Sequence, residues 1–552
     1  MSEKKKSDGT SDSFLAFAGS IFLIILIWNK YKYAALAWYL KYRIPLALGL
    51  TVLIISIYMF IKRKVKVRLN AKNEESLIIG KPDDENSVFV GLSKSLKSVY
   101  FRDSYRRMHI QVVGTTNAGK TESVILPLAI DDIKKGRGLL IVDGKSDRGL
   151  LDKLYAYAKL YGHAENVQIL SLCQTSISHT FNPLDSGTPL ELTERIFNAL
   201  IFENEYFKGL QRQAFLNTLL IFQAAKIPPT FYRLAEALTS PRHLKKLVKS
   251  STDPQIISWV EEHLSLSREE REQRTSGLVT QLRMFTVDET AKIFNPEKSQ
   301  INLEEALAKN KIIYCQLPVL KIPTLGKATG KLVLQCLQSA VASRHMARGE
   351  RQFFSVYLDD FTEYLTESFV SLLNKSRSAN ISIVFAHQAL GDIAALGDDV
   401  KNTILTNSNL KVFMRTNEPD SAEYFSSVAG TTQTVKVTER QNSGVFGPTK
   451  PGMGSVRDAE EFKFHPNLFK NGLGVGDAVV ILPHGKGSHA VQIKFRMLPD
   501  LEIPVIGDVE KFPPESLPPL EEVPAAQDCP PNNKLAHIPG TALETPPPKA
   551  AA

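Results

Sequence analysis

Apolar residues fall along this chain in four patterns. The first is a pair of unbroken runs, Phe14 to Trp28 ("FLAFAGSIFLIILIW") and Ile44 to Ile61 ("IPLALGLTVLIISIYMFI"). At about 1.5 Å per residue the second run reaches roughly 27 Å, close to a hydrocarbon core of about 30 Å. The shorter first run spans if Lys30 and Lys32 snorkel along their stems. Residues 1–68 are therefore expected to be a membrane anchor with two transmembrane helices, about 14–28 and 44–61. No small-x-small cleavage site directly follows the first run, which argues against a signal peptide. Lys4, Lys5, Lys6, Lys62, Arg63, Lys64, Lys66 and Arg68 outnumber the connector's Lys30, Lys32, Lys41 and Arg43. That bias places both ends in the cytoplasm.

The second pattern is a series of short, near-continuous apolar runs: "IQVVG", "GLLIVDG", "VQILSL", "KIIYCQLP", "FFSVYLDD", "ISIVFAHQ" and "LKVFMRT". Most are followed by helical periodicity, which predicts parallel strands buried on both faces in an α/β domain. Shorter pieces, "KVKVRLN" and "NSVFVGL", read as strands ahead of it. The third pattern, residues 190–299, is helical almost throughout and predicts an all-helical insertion between two parts of the α/β domain, 69–189 and 300–498. Beyond Pro499 the chain turns proline-rich and acidic, so residues 499–552 are expected to be disordered or extended.

Composition narrows the function classes. The chain has 552 residues and four cysteines, none in a CxxC pair, which argues against a disulfide framework or structural zinc site. Net charge is +9, yet residues 497–552 hold nine acidic residues against three lysines, leaving about +15 on the rest. Such a surplus suits nucleic acid or anionic lipid. The basic stretch Arg242 to Lys249 reads as a solvated helix face rather than a phosphate contact.

The chemistry is concentrated in "GTTNAGKTE", where Gly114, Thr115, Thr116, Asn117, Ala118, Gly119, Lys120 and Thr121 satisfy GxxxxGK[ST] and Glu122 follows. Loop amides cradle the phosphates of a nucleotide such as ATP, Lys120 neutralises them and the Thr121 hydroxyl serves Mg²⁺. Asn117, where glycine is frequent, tolerates positive φ. A hydrolase also needs carboxylates. The run "FFSVYLDDF" ends on Asp359, for the Mg²⁺ shell, and Asp360, to act on the attacking water. Asp143 follows the phosphate-loop helix too closely to be the metal aspartate if a strand is inserted between the two motifs, but it is placed to line the site. Gln388, ending "SIVFAHQ", is a γ-phosphate sensor candidate, and Arg377 a candidate arginine finger acting on a neighbouring subunit. His387 reads as a packed strand-end residue.

With these residues placed, the chain resembles the type IV secretion coupling proteins, the TraG/TraD-like family of membrane-anchored RecA-like ATPases. The likeness runs to about Met497 and rests on ordered motifs: "VVGTTNAGKT", "LLIVDGKSD", "FNPLD", the helical insertion, "IIYCQLP", "YLDDF", "KSRSANISIVFAHQ" and "NSNLKVFMRTNEPDSAEYFSSVAGT". Within the family it is nearest the IncI-type and Dot/Icm-type branch. The resemblance implies a RecA-like P-loop NTPase domain, a homo-hexamer with ATP and Mg²⁺ between subunits, and a multi-pass location in the bacterial inner membrane. It implies as partners a relaxase joined to single-stranded DNA, or effector proteins, together with the secretion channel and membrane lipids. The family usually has glutamate where this chain has Asp360, and Glu363 is the carboxylate on the next turn. Three other readings stand beside conjugation: a receptor for protein effectors, a double-stranded DNA pump of the chromosome-segregation type, and a scaffold without ATPase activity. The pump class usually ends in a winged-helix module, which the proline-rich tail does not suit.

Overall fold

All seven predicted parallel strands form in the computed structural model, which describes residues 19–34, 36–38, 41, 53–61, 85–438, 443–444, 447–448, 455–484 and 487–518. In chain order the strands are β1 Ser87–Ser93, β2 Ser98–Arg102, β3 Ile110–Val113, β4 Gly138–Asp143 and β5 Val167–Ser171, then β6 Ile312–Gln316, β7 Phe354–Asp359, β8 Ile381–His387 and β9 Leu410–Phe413. There follow β10 Thr431–Thr438, β11 Ser443–Gly444, β12 Gly447–Pro448, β13 Ser455–Phe462, β14 Asp477–His484 and β15 Gly487–Phe495. Strands β3 to β9 pair in parallel in the order β9-β3-β8-β7-β4-β6-β5. Burial along β3, β4, β6, β7, β8 and β9 is complete. Covering both faces with helices demands that, which is why the runs show no polar alternation.

Beyond β9 the sheet continues antiparallel as β14, β15, β1 and β2. The predicted strand "NSVFVGL" is β1; the β14–β15 hairpin, whose first strand carries the apolar run Ala478 to Leu482, is not among the predicted strands. Among the described residues, β10 pairs with β13 and β11 with β12, outside the large sheet. The predicted strand "KVKVRLN" lies outside the described residues.

A fully buried ion pair fastens the sheet to the helix behind the phosphate loop. Arg106, ahead of β3, donates to Asp132 Oδ1 at 2.8 Å and Oδ2 at 2.6 Å, and also to Ser355 and Tyr357 of β7. Burial alone raises a carboxyl; at Asp132 the adjacent guanidinium outweighs it and holds the group down at about 2.

The chain divides into two compact units, residues 1–181, 198–200 and 300–510 against 182–197, 201–299 and 511–552. The second contains the predicted helical insertion apart from residues 198–200. Its helices start on local caps: Asn204, Thr230, Ser240 and Asp253 each accept a backbone N–H, and Ser267 with Glu270 forms a capping box. Inside it Phe231 stacks on Phe285 at 4.4 Å, with Phe294 edge-on to both.

Two boundaries need correcting. The tail is not free from residue 499. On the first unit, Tyr157 donates to the Pro499 carbonyl at 2.6 Å and Val509 N–H to the Ser176 carbonyl at 2.9 Å. On the second, Glu515 pairs with Arg233 at 3.0 Å and Leu517, 3% exposed, donates its N–H to Glu236. Residues 519–552 lie outside the described residues. The first apolar run becomes a helix over Gly19–Trp38, long and apolar enough to cross a membrane, extending ten residues past the predicted end at Trp28 through the Lys30 and Lys32 segment. Aromatic and lysine stems there extend the amphipathic margin, so the helix need not stop where the aliphatic residues do. It is the one such helix among the described residues. Of the second predicted span, 53–61 is described and is helical, and 44–52 lies outside.

Candidate functional site

The phosphate loop, the β8 tip and the β7 tip lie side by side because β8 is inserted between β3 and β7. That is the added strand required for a metal aspartate to come from a later strand than β4. The carboxyl ends of such strands open on the crevice where open α/β sheets bind ligands.

The loop leaves β3 with Gly114 against Met414, where an added Cβ would lie 2.8 Å from the Met414 side chain. Asn117 takes φ 62° and Gly119 φ 97°, so the asparagine does adopt the left-handed conformation it was expected to tolerate. A wide turn, Lys120–Ile125, then leads into helix Leu126–Lys134. Thr115 N–H is tied to the Arg415 carbonyl at 2.8 Å, and Ala118 is buried. Lys120 folds back on the loop, donating to the carbonyls of Gly114 at 2.6 Å and Thr115 at 3.3 Å. Burial, with Lys145 nearby, lowers its pKa from the ordinary lysine value.

Across the crevice the Thr121 hydroxyl donates to Asp359 Oδ2 at 2.7 Å. Asp359 is 1% exposed and its other oxygen accepts from Asp360 N–H. Asp360 sits at φ 46° directly past the strand, with its side chain 19% exposed. Burial raises its pKa, against the pull of Lys145. Thr121 and Asp359 are hard oxygen donors and would hold Mg²⁺, an ion that takes few protein ligands beside a bound phosphate.

Asp143 is level with Asp359 on the next strand. Its oxygens, however, accept from Lys145 N–H, Asp147 N–H and the Tyr314 hydroxyl. Burial pushes its carboxyl up to about 6. It therefore braces a turn beside the site. Lys145, which motif reading passes over, sits 3.4 Å from Asp359 and 3.6 Å from Asp360.

The other candidates divide. Gln388 reaches the loop, accepting from the Thr116 hydroxyl at 3.4 Å. His387 is buried, its Nε2 3.0 Å from the Gln111 amide and its Nδ1 2.8 Å from the Ala389 carbonyl. Burial lowers its pKa to about 4, so it is a neutral, packed strand-end residue. Arg377 is exposed and precedes β8, so one whole strand, roughly 23 Å, separates it from the loop of its own chain. Glu122 pairs with Lys153 at 3.1 Å and Glu363 with Lys327 at 3.1 Å, so neither side chain joins the cluster.

Comparisons with known proteins point one way. A family model described as the TraM recognition site of TraD and TraG matches residues 354–461. Those residues include Asp359, Asp360, Arg377 and Gln388. The type 4 coupling protein DotL of Legionella pneumophila is 22% identical over 411 residues, covering 63% of this chain and 52% of that relative. The chain thus spans about half the length of the curated relative it matches. Among solved structures, the unbound bacterial conjugative coupling protein TrwBdeltaN70 matches with a TM-score of 0.57 at 14% identity, over 77% of this chain and 92% of its own. Plasmid coupling protein TrwB in complex with ADP and Mg²⁺ matches with a TM-score of 0.57 at 15% identity, over 78% and 94%. The α/β architecture described above is the fold of these coupling proteins.

Proposed function

We propose that this chain, similar to type IV coupling proteins in its motifs and its fold, is the ATP-hydrolysing coupling component of a conjugative type IV secretion system. It recruits relaxase-bound single-stranded DNA and delivers it to the secretion channel. One observation carries the ATPase reading: the 2.7 Å bond from Thr121 to Asp359, which joins phosphate loop and β7 tip into a single site. Lys120 and the loop amides of Gly114 to Thr121 bind the triphosphate, with Thr121 and Asp359 holding Mg²⁺. The bound metal supplies charge neutralisation at the β- and γ-phosphates. Asp360, on its left-handed bend, orients the attacking water. Gln388, beside Thr116, senses whether the terminal phosphate is present.

Arg377 stands too far from its own loop to act there, so its role as a finger requires a second copy. A homo-hexamer with nucleotide between subunits provides one. Helix Gly19–Trp38 anchors the chain in the inner membrane. A second span over 44–61 would complete a two-pass anchor, leaving both ends cytoplasmic; reporter fusions at residues 41 and 85 that fall on opposite sides of the membrane test it.

Phosphate release by detergent-purified protein, lost in Lys120→Ala and stimulated by single-stranded DNA, is the expected result. Activity unaffected by Lys120→Ala would overturn the ATPase reading. A receptor for protein effectors is the second reading, favoured by the acidic end of the chain, which repels nucleic acid. ATPase activity indifferent to DNA would select it.

A further inference from the structure

The turn after β4, "DGKSD", is built around one lysine. Asp143 Oδ1 accepts from Lys145 N–H at 2.8 Å, and Asp143 Oδ2 accepts from Asp147 N–H at 2.6 Å and from the Tyr314 hydroxyl at 2.8 Å. Ser146 takes φ 62°, and its hydroxyl donates to the Leu317 carbonyl. The braced turn delivers the Lys145 ammonium between the two carboxylates, 3.4 Å from Asp359 Oδ2 and 3.6 Å from Asp360 Oδ2. Asp359 and Asp360 are adjacent like charges in a largely desolvated crevice. Among the described residues, Lys145 is the one cation within 4 Å of either. The other lysine here, Lys120, is committed to the carbonyls of its own loop.

Asp359 Oδ2 is the contested atom. It faces both the Thr121 hydroxyl and Lys145. A divalent cation bound there meets a positive charge that it has to displace. Lys145 is 40% exposed at the end of a flexible four-carbon stem, so it has room to swing. A triphosphate arriving with the metal brings the negative charge to receive it.

We propose that Lys145 is a positioning residue that competes with the metal for Asp359: it offsets half the charge of the carboxylate pair in the nucleotide-free protein and yields when the metal arrives with a triphosphate. Divalent metal is thereby held tightly only together with nucleotide. The inference rests on the ATP and Mg²⁺ reading of this site.

The test uses the full-length chain in detergent, Mn²⁺ as a paramagnetic stand-in for Mg²⁺, and a fluorescent non-hydrolysable ATP analogue. In the nucleotide-free protein Lys145→Met is expected to tighten Mn²⁺ binding at least about tenfold, since removal of a neighbouring charge is worth one or more logarithmic units. Lys145→Arg keeps the weak wild-type binding, and Asp359→Asn added to Lys145→Met abolishes the gain. Unchanged or weaker Mn²⁺ binding in Lys145→Met overturns the proposal, as does a gain that survives Asp359→Asn. Lys145→Gln repeats the measurement should the methionine variant misfold. A wild-type chain that binds no analogue sinks the ATP reading itself, so the two failures are separable: the inference alone fails when analogue binds normally and Mn²⁺ affinity does not move.

Discussion

Asp360 is a short carboxylate on a sharp bend: φ 46° at the residue that leaves β7 turns its side chain into the crevice beside Asp359 and Lys145. Glu363, on the next turn, is paired with Lys327 instead. Asp360→Asn is expected to slow phosphate release by about 10²- to 10⁴-fold while leaving the affinity for an ATP analogue unchanged, as measured by fluorescence titration. A second prediction concerns His387 and His109, both buried and both lowered from 6.5 to about 4. Between those values the unfolded chain binds protons that the folded chain refuses, so stability falls as pH drops from 6.5 towards 4, by up to about 3 kcal/mol per histidine. Asp143, raised from 3.8 to about 6, works in the opposite sense, since the fold keeps its proton longer than the unfolded chain does. Denaturant titrations at pH 7 and pH 5 should show a net loss at acid pH, shallower in His387→Gln. At this scale the GKT loop and the strand-end DD were legible because their chemistry needs those residue types at those spacings. Lys145 was not, because a single lysine in a turn carries no spacing signal.

Elements were legible where burial is complete. Strands β3 to β9 read directly from unbroken apolar runs, and the helical unit from its periodicity. The docked tail was not, because it depends on partners far away in sequence. Leu517 lies in a proline-rich stretch that looks unstructured, yet it is buried through contact with a helix some 280 residues earlier. Leu517→Asp should release 511–518 from that helix, seen as faster amide exchange over 511–518 and 231–239, with ATP-analogue affinity unchanged. Arg106 offers a harsher test. Arg106→Met strands the buried Asp132 carboxylate and is expected to cost about 3–5 kcal/mol in denaturant unfolding.

For the whole molecule, a helix over Gly19–Trp38 long and apolar enough to cross a membrane and the crevice at the strand tips belong to one chain, and the proposed coupling role rests on that pairing. Removal of residues 1–68 should move the protein from the membrane pellet to the soluble fraction while keeping analogue binding, measured after carbonate extraction and centrifugation. Sequence alone placed the parallel strands, the helical segment among them and most residues of the candidate site, because hydrophobic burial and phosphate binding impose local patterns that survive without coordinates. Tertiary structure decided the rest. Strand order is set by long-range pairing, so only the fold could show that β8 separates β3 from β7 and brings Thr121 to Asp359. Equally, only the fold shows the Asp143 oxygens taken up by Lys145 N–H, Asp147 N–H and the Tyr314 hydroxyl, and Lys145 within 4 Å of both carboxylates. Side-chain direction at a strand tip depends on which neighbours pack against it, and no local pattern along the chain encodes those neighbours.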